Sequence, residues 1–148
     1  MCARILITKI LFIWALMVPL SHSGQQIISW DDLSRTHSTI ITRGENKGLL
    51  KPMFPESVRD LDGVEVIISG YIVPVDVSGS RYALSRFPLA SCFFCGNAGP
   101  ETVMELNFSS PIHHLITDTF VTVKGVFMLN DNEPHRLFFI LENCSFHG

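Results

Sequence analysis

Two apolar stretches, VEVIISGYIVPV over residues 64–75 and FVTVKGVFML over residues 120–129, each carry a single glycine on the face that alternation turns inward. In the first, Val64, Val66, Ile68 and Ile72 share one face of an extended strand, and Glu65, Ser69 and Tyr71 share the other. Gly70 falls in the inward series. In the second, Val121, Val123, Phe127 and Leu129 form the apolar face, and Gly125 interrupts it. A glycine there removes a side chain where a strand has to bend sharply around a small barrel. The pair therefore predicts barrel walls rather than a flat sheet.

Shorter strand signals lie around them. Residues 82–87 follow the turn sequence VSGS, residues 102–108 follow a cysteine-bearing loop, and residues 137–142 follow NDNEPH. Residues 109–119 (SSPIHHLITDT) leave room for one helical turn between the third and fourth strands. Five strands in this arrangement predict an all-β fold, a five-stranded OB-like barrel. A β-sandwich is the alternative, but its seven strands are hard to find here.

Ahead of the barrel, residues 25–60 read as an arm. Ser29 precedes Trp30-Asp31-Asp32-Leu33 as the N-cap of a short helix with acidic residues in its first turn. RGENKGLLKPMFPES, residues 43–57, has the glycine, proline and charge expected of a surface loop or linker. Arg4 and Lys9, the apolar run Ile10–Leu20 and the small residues Ser21 and Ser23 predict a secretory signal peptide cleaved after Ser23. The run is shorter than the roughly 20 residues that span a bilayer, so no stable membrane span is expected after cleavage. Without a cysteine after the cleavage region, a bacterial lipoprotein anchor is not expected either. The predicted organisation is signal peptide 1–23, arm and linker 24–60, and barrel 61–148, in a periplasmic or secreted protein. What remains after cleavage suits one domain.

The chain of 148 residues has 11 basic and 14 acidic side chains, a net charge of −3. Two of the basic ones lie in the leader, so the remainder is more acidic still. With no basic stripe, nucleic-acid binding is not expected, even of an OB-like barrel. No nucleophile elbow, zincin HExxH or phosphate loop occurs. Glu101 and Glu105 fall on one face of a strand and read as a solvated edge rather than a catalytic pair. The sequons at Asn107 and Asn143 would matter only in a eukaryotic secretory pathway.

Chemistry concentrates in Cys92-Phe-Phe-Cys95-Gly. Cys2 leaves with the leader, and an odd count of three cysteines leaves at least one unpaired outside the cytoplasm. The spacing allows two thiolates to converge on one soft metal ion, zinc foremost with copper as an alternative, and Gly96 permits the tight turn. His135 is the candidate third ligand, because in an OB barrel the loop before strand three and the start of strand five lie toward one end. Cys144 and His147 repeat a C-x2-H spacing, but Cys144 would lie beyond strand five, about 20 Å away. Asp131 and Glu133 could offer oxygen ligands, though a polar turn needs such residues anyway, and His113 and His114 read as surface residues. A second reading has Cys92 and Cys95 in a disulfide that pins the loop, with Phe93 and Phe94 packed on the barrel of a protein-interaction module. A third is thiol–disulfide oxidoreduction, which would need Cys92 activated by a following helix N-terminus; the sequence after Cys95 is a poor helix start.

Four stretches together carry a family resemblance: ISWDDL at 28–33, LDGVEVIISGYIVPVD at 61–76, YALSRFPLASCFFCGNAGPETVMEL at 82–106, and VTVKGVFMLND with PHRLFFILEN up to residue 143. The chain resembles small exported bacterial proteins of the domain-of-unknown-function 3299 family, in a Bacteroidota-type branch with the CFFCG motif. The resemblance implies an OB-like envelope protein without an assigned activity. Through relatives encoded beside metal-uptake or ABC-transport genes, it also implies envelope metal handling, with an envelope protein or ABC transport complex as partner. It extends to Cys92, Cys95 and His135, whereas Cys144 stands where family members have another residue.

Overall fold

The two glycine-bearing stretches form the longest strands among the described residues and pair with each other. The computed structural model describes residues 24–76, 81–112 and 114–148; the signal peptide and its cleavage site, the VSGS turn and His113 lie outside the described residues. In chain order the elements are β1 (Gln26–Ile27), α1 (Trp30–Leu33), β2 (His37–Ile40), β3 (Leu50–Met53), α2 (Glu56–Arg59), β4 (Glu65–Pro74), β5 (Tyr82–Ser85), three single 3-10 turns η1 (Leu89–Ser91), η2 (Phe93–Cys95) and η3 (Pro100–Thr102), β6 (Val103–Phe108), β7 (Phe120–Leu129) and β8 (Phe139–Phe146).

The ring runs β4-β5-β6-β8-β7 and closes through β4–β7. All ring pairings are antiparallel except β6–β8, which is parallel. This is the expected closed five-stranded barrel. The first part of β4 pairs with β7 from Glu65↔Val126 to Tyr71↔Phe120, and its last part pairs with β5 from Tyr71↔Ser85 to Pro74↔Tyr82. The exchange of partners happens at Gly70 and Tyr71. A Cβ on Gly70 would stand 2.6 Å from the Ser85 carbonyl oxygen and 2.9 Å from Leu84 Cγ; one on Gly125 would stand 2.8 Å from the Glu142 carbonyl oxygen and from Leu141 Cγ. Both glycines are needed because a neighbouring strand crosses close over a bend.

The inward series is the core: Val66, Ile68, Ile72, Val123 and Phe127 are buried together with Leu84, Met104, Phe139 and Leu141. Leu33, Phe54 and Val58 of the arm belong to the same cluster. Phe54 lies 6.0 Å from Phe139, and Phe139 lies 5.5 Å from Phe127, so the arm plugs one end of the barrel. Trp30 Nε1 donates to the Ser69 carbonyl oxygen at 2.8 Å, which fastens α1 to β4. The expected cap forms at its start: the Asp32 carboxylate accepts from the Ser29 N–H at 2.8 Å and the Ser29 hydroxyl at 2.7 Å.

Three local expectations are corrected. Residues 43–57 are not a plain linker: they hold β3, paired antiparallel with β2, and the start of α2. Gly44 (φ 85°) and Gly48 (φ 92°) supply the left-handed backbone of the connection. Residues 109–119 form no helix among the described residues. Their hydrogen bonds go elsewhere: Ile72 N–H donates to the Thr119 carbonyl oxygen, Asp118 N–H to that of Ile72, and Leu115 N–H to the Tyr82 hydroxyl. The last strand runs to Phe146 instead of ending at Glu142, passing through Asn143 in the left-handed region (φ 51°) near a register shift against β7.

Candidate functional site

Three segments separated in the chain converge at one end of the barrel: the cysteine loop between β5 and β6, the loop between β7 and β8, and the connection of the β2–β3 hairpin. Parallel pairing of β6 with β8 dictates the first meeting. Met104 lies opposite Phe139, so the residues just before each strand share that end.

The cysteine loop is a chain of single turns. Cys92 ends η1 and caps η2; its carbonyl oxygen accepts from Cys95 N–H at 3.2 Å. Gly96, left-handed at φ 75°, reverses the chain. Asn97 Nδ2 then donates to the Ala90 carbonyl oxygen at 2.9 Å and closes the loop on itself. Phe93 and Phe94 meet edge-on at 5.6 Å, the first half-buried and the second exposed.

The β7–β8 loop is organised by one buried side chain. Asn130 Nδ2 donates to the carbonyl oxygens of Glu133 and Leu137, while its Oδ1 accepts from the N–H groups of Asn132 and Glu133. This leaves His135 exposed and turns Arg136 onto the barrel wall. Arg136 grips Glu105 of β6 with Nη2 2.9 Å from Oε1 and Nε 3.3 Å from Oε2. Arg81 approaches the same carboxylate at 3.8 Å, and Glu142, held by Asn107 Nδ2 at 2.8 Å, lies 3.6 Å from Arg136. The Glu105 bond and nearby carboxylates hold the Arg136 guanidinium above its ordinary pKa, against a smaller opposing effect of burial. Glu105 is therefore a buried ion-pair partner and not a solvated edge. Because β6 and β8 run parallel, an arginine just before β8 reaches the wall of β6; that was the sequence signal for the pair.

Between these segments lies a cavity of about 310 Å³, lined mainly by Leu49, Leu50, Phe93, Pro100, Pro134, His135, Leu137 and Phe138. The cysteine loop does face His135 across it, through Phe93. The thiols themselves diverge: Cys92 is fully buried and Cys95 is exposed. Among the described residues no three of His, Cys, Asp and Glu form a group that could hold a metal ion. Zinc on Cys92, Cys95 and His135 would thus require these side chains to turn from the positions they hold.

The three cysteines among the described residues are free, so no disulfide pins the loop in this structure. Phe94 is exposed, where that reading expected it packed on the barrel. For oxidoreduction, Cys92 is the inaccessible member of the pair, and a single 3-10 turn follows it where an activating helix would be needed. Cys144 is corrected from a tail residue to a residue of β8, opposite Phe108 and buried in the core. It lies five positions past Phe139, about 17 Å further along the strand. Burial pushes its thiol up to about 12, with a smaller contribution from the Glu142 charge. His147 is exposed beyond the strand, its N–H bonded to the Thr122 carbonyl oxygen.

A second apolar surface lies where the 109–119 segment meets the barrel, around a hollow of about 420 Å³. Ile116 (77 % exposed), Phe120 (62 %) and Phe146 (44 %) stand out from it, and Phe120 packs edge-on against Tyr71 at 5.1 Å. Among the described residues no helix is long and apolar enough to cross a membrane.

No protein-family model matches the chain, and no curated protein matches it significantly. Among solved structures, the chain is similar to a Pseudomonas aeruginosa PAO1 protein at a TM-score of 0.51 and 12 % identity, the match covering 84 % of this chain and 97 % of the other. At that identity the likeness is one of fold. In architecture, then, this chain resembles a member of the domain-of-unknown-function 3299 family.

Proposed function

We propose that the protein is a non-enzymatic binding barrel of the cell envelope that engages an envelope protein through the groove between the cysteine loop, the β7–β8 loop and the β2–β3 hairpin. One observation carries this reading: three chain segments, each held by its own hydrogen bonds, converge to line an apolar hollow of about 310 Å³ beside exposed His135. Concave apolar surfaces with a few polar groups at the rim are where proteins take up ligands, and a half-buried aromatic such as Phe93 is the usual kind of anchor. The Arg136–Glu105 pair gives the rim a fixed shape. The test is photo-cross-linking in the native envelope from a photoreactive residue at position 93, with position 116, on the second apolar surface, as a control outside the groove. A discrete protein adduct from 93 alone supports the reading; equal adducts from both positions contradict it.

A second reading keeps a soft metal, zinc foremost or copper, as the cargo of an envelope transport complex. It is favoured by free thiols on a loop that shares a groove with His135. Two ligands from this chain would need rearrangement of Cys92 or a ligand from the partner to complete a site. Elemental analysis of protein taken from its native envelope tests it: stoichiometric metal that His135→Ala loses supports the reading, and metal-free protein speaks against it.

A further inference from the structure

The cysteine pair combines three features that the groove reading leaves unused. A hydrogen-bonded turn brings the Cα atoms of its first and fourth residues within about 7 Å, and disulfides span about 4.4–6.8 Å. Cys92 and Cys95 are those two residues, joined by the Cys95 N–H to Cys92 carbonyl bond at 3.2 Å. Their thiols are free and unequal, one at the surface and one fully buried. The third cysteine is out of play: Cys144 sits in the core at a different level of the barrel, with its thiol pushed up to about 12.

We propose that Cys92 and Cys95 form a reversible dithiol–disulfide switch that resets Phe93 in the groove. The oxidant is a disulfide, small or protein-borne. The Cys95 thiolate attacks one of its sulfurs, forming a mixed disulfide and releasing one thiol. Cys92 Sγ then gives up its proton and attacks Cys95 Sγ, releasing the second thiol and closing the Cys92–Cys95 bond. Two protein thiols are oxidised as one disulfide is reduced to two thiols, so electrons and protons balance. Closure has a structural consequence because bringing one buried and one exposed thiol to bonding distance has to move the turn that carries Phe93. Phe93, the next residue, lines the wall shared with Pro100 and His135. Oxidation therefore changes the groove, and reduction restores it. The consequence rests on the groove of the proposed function, whereas the sulfur chemistry stands apart from it.

The experiment treats reduced, reductant-free protein with oxidised glutathione and follows it by peptide mapping and amide NMR. The expected result is a Cys92–Cys95 disulfide with Cys144 still free, and shifts that extend beyond residues 91–97 to Leu49, Leu50 and His135. In Cys92→Ala the reaction stops with glutathione on Cys95; in Cys95→Ser nothing reacts. Glutathione that stays on Cys95 of the unaltered protein overturns the proposal, as do shifts confined to residues 91–97. Neither outcome depends on whether a partner binds the groove, so failure of the switch and failure of the binding reading are separable.

Discussion

Arg136, at the end of the β7–β8 loop, holds Glu105 on the barrel wall through two parallel hydrogen bonds, Nη2–Oε1 at 2.9 Å and Nε–Oε2 at 3.3 Å. The Glu105 side chain is 9 % exposed and that of Arg136 is 26 % exposed, so the pair is shielded on one side and open on the other. Removing the cation leaves a buried carboxylate with Arg81, at 3.8 Å, as its remaining ion-pair partner among the described residues. Arg136→Met should cost about 2 kcal/mol, less than a fully buried pair because solvent screens the open side. Arg136→Lys should recover only part of this, since an ammonium cannot make both bonds. Arg136→Met with Glu105→Leu should recover most of it. Urea unfolding of the three variants checks the order.

The two inward glycines set the curvature. Gly70→Ala drives a Cβ into the Ser85 carbonyl and Leu84, and Gly125→Ala drives one into the Glu142 carbonyl and Leu141. Backbone cannot yield as a flexible side-chain tip can, so each should lose about 2–3 kcal/mol. Gly96→Ala meets open space but has to hold φ 75°, which costs about 1 kcal/mol. Thermal unfolding should therefore rank Gly96→Ala the mildest of the three.

Cys144 should be inert where Cys95 is not. With its thiol raised to about 12 from an ordinary 9.0 by burial, the folded state holds the proton more tightly than the unfolded chain. The resulting stabilisation is complete below the unfolded value and is lost as pH rises from about 9 toward 12. Alkylation of native protein at pH 8 should label Cys95 and spare Cys144. Cys144→Ala, although it loses core packing, should show a shallower decline of stability over the same alkaline window; an unchanged slope would refute the assignment.

The helix cap makes a smaller prediction at acid pH. Hydrogen bonds from Ser29 lower the Asp32 carboxyl below 3.8, with Arg35 adding to the effect. A lowered carboxyl contributes stability above its unfolded pKa and loses it as pH falls through the folded value. Ser29→Ala should move the Asp32 NMR titration upward toward the ordinary value; the effect on global stability should be small at so exposed a site.

Much of this architecture is written in local pattern. The long strands and their glycines announce themselves because one side chain in two is apolar over ten residues, and the parallel β6–β8 pairing follows from the barrel they imply. Ser29 before Trp-Asp-Asp signals its cap directly. The β2–β3 hairpin does not: β3 contains Pro52 as its one buried residue among exposed neighbours, so its pattern resembles a loop. The extent of β8 was hidden by Asn143, whose left-handed backbone lets the strand continue past a polar residue and draws Cys144 into the core. Glu105 looked solvated because its partner lies 31 positions away. The groove was half visible, since topology set His135 across from the cysteine loop, but nothing local showed Cys92 turned inward and Cys95 outward.

The claim that the protein binds through this groove, and not through the apolar patch around Ile116 and Phe120, is tested most directly by calorimetric titration with the partner captured from position 93. Phe93→Ala and His135→Asp should each weaken binding at least about tenfold, a loss of about 1.4 kcal/mol or more, while Ile116→Asp leaves it unchanged. Full affinity in both groove variants, with loss in Ile116→Asp, would contradict the account.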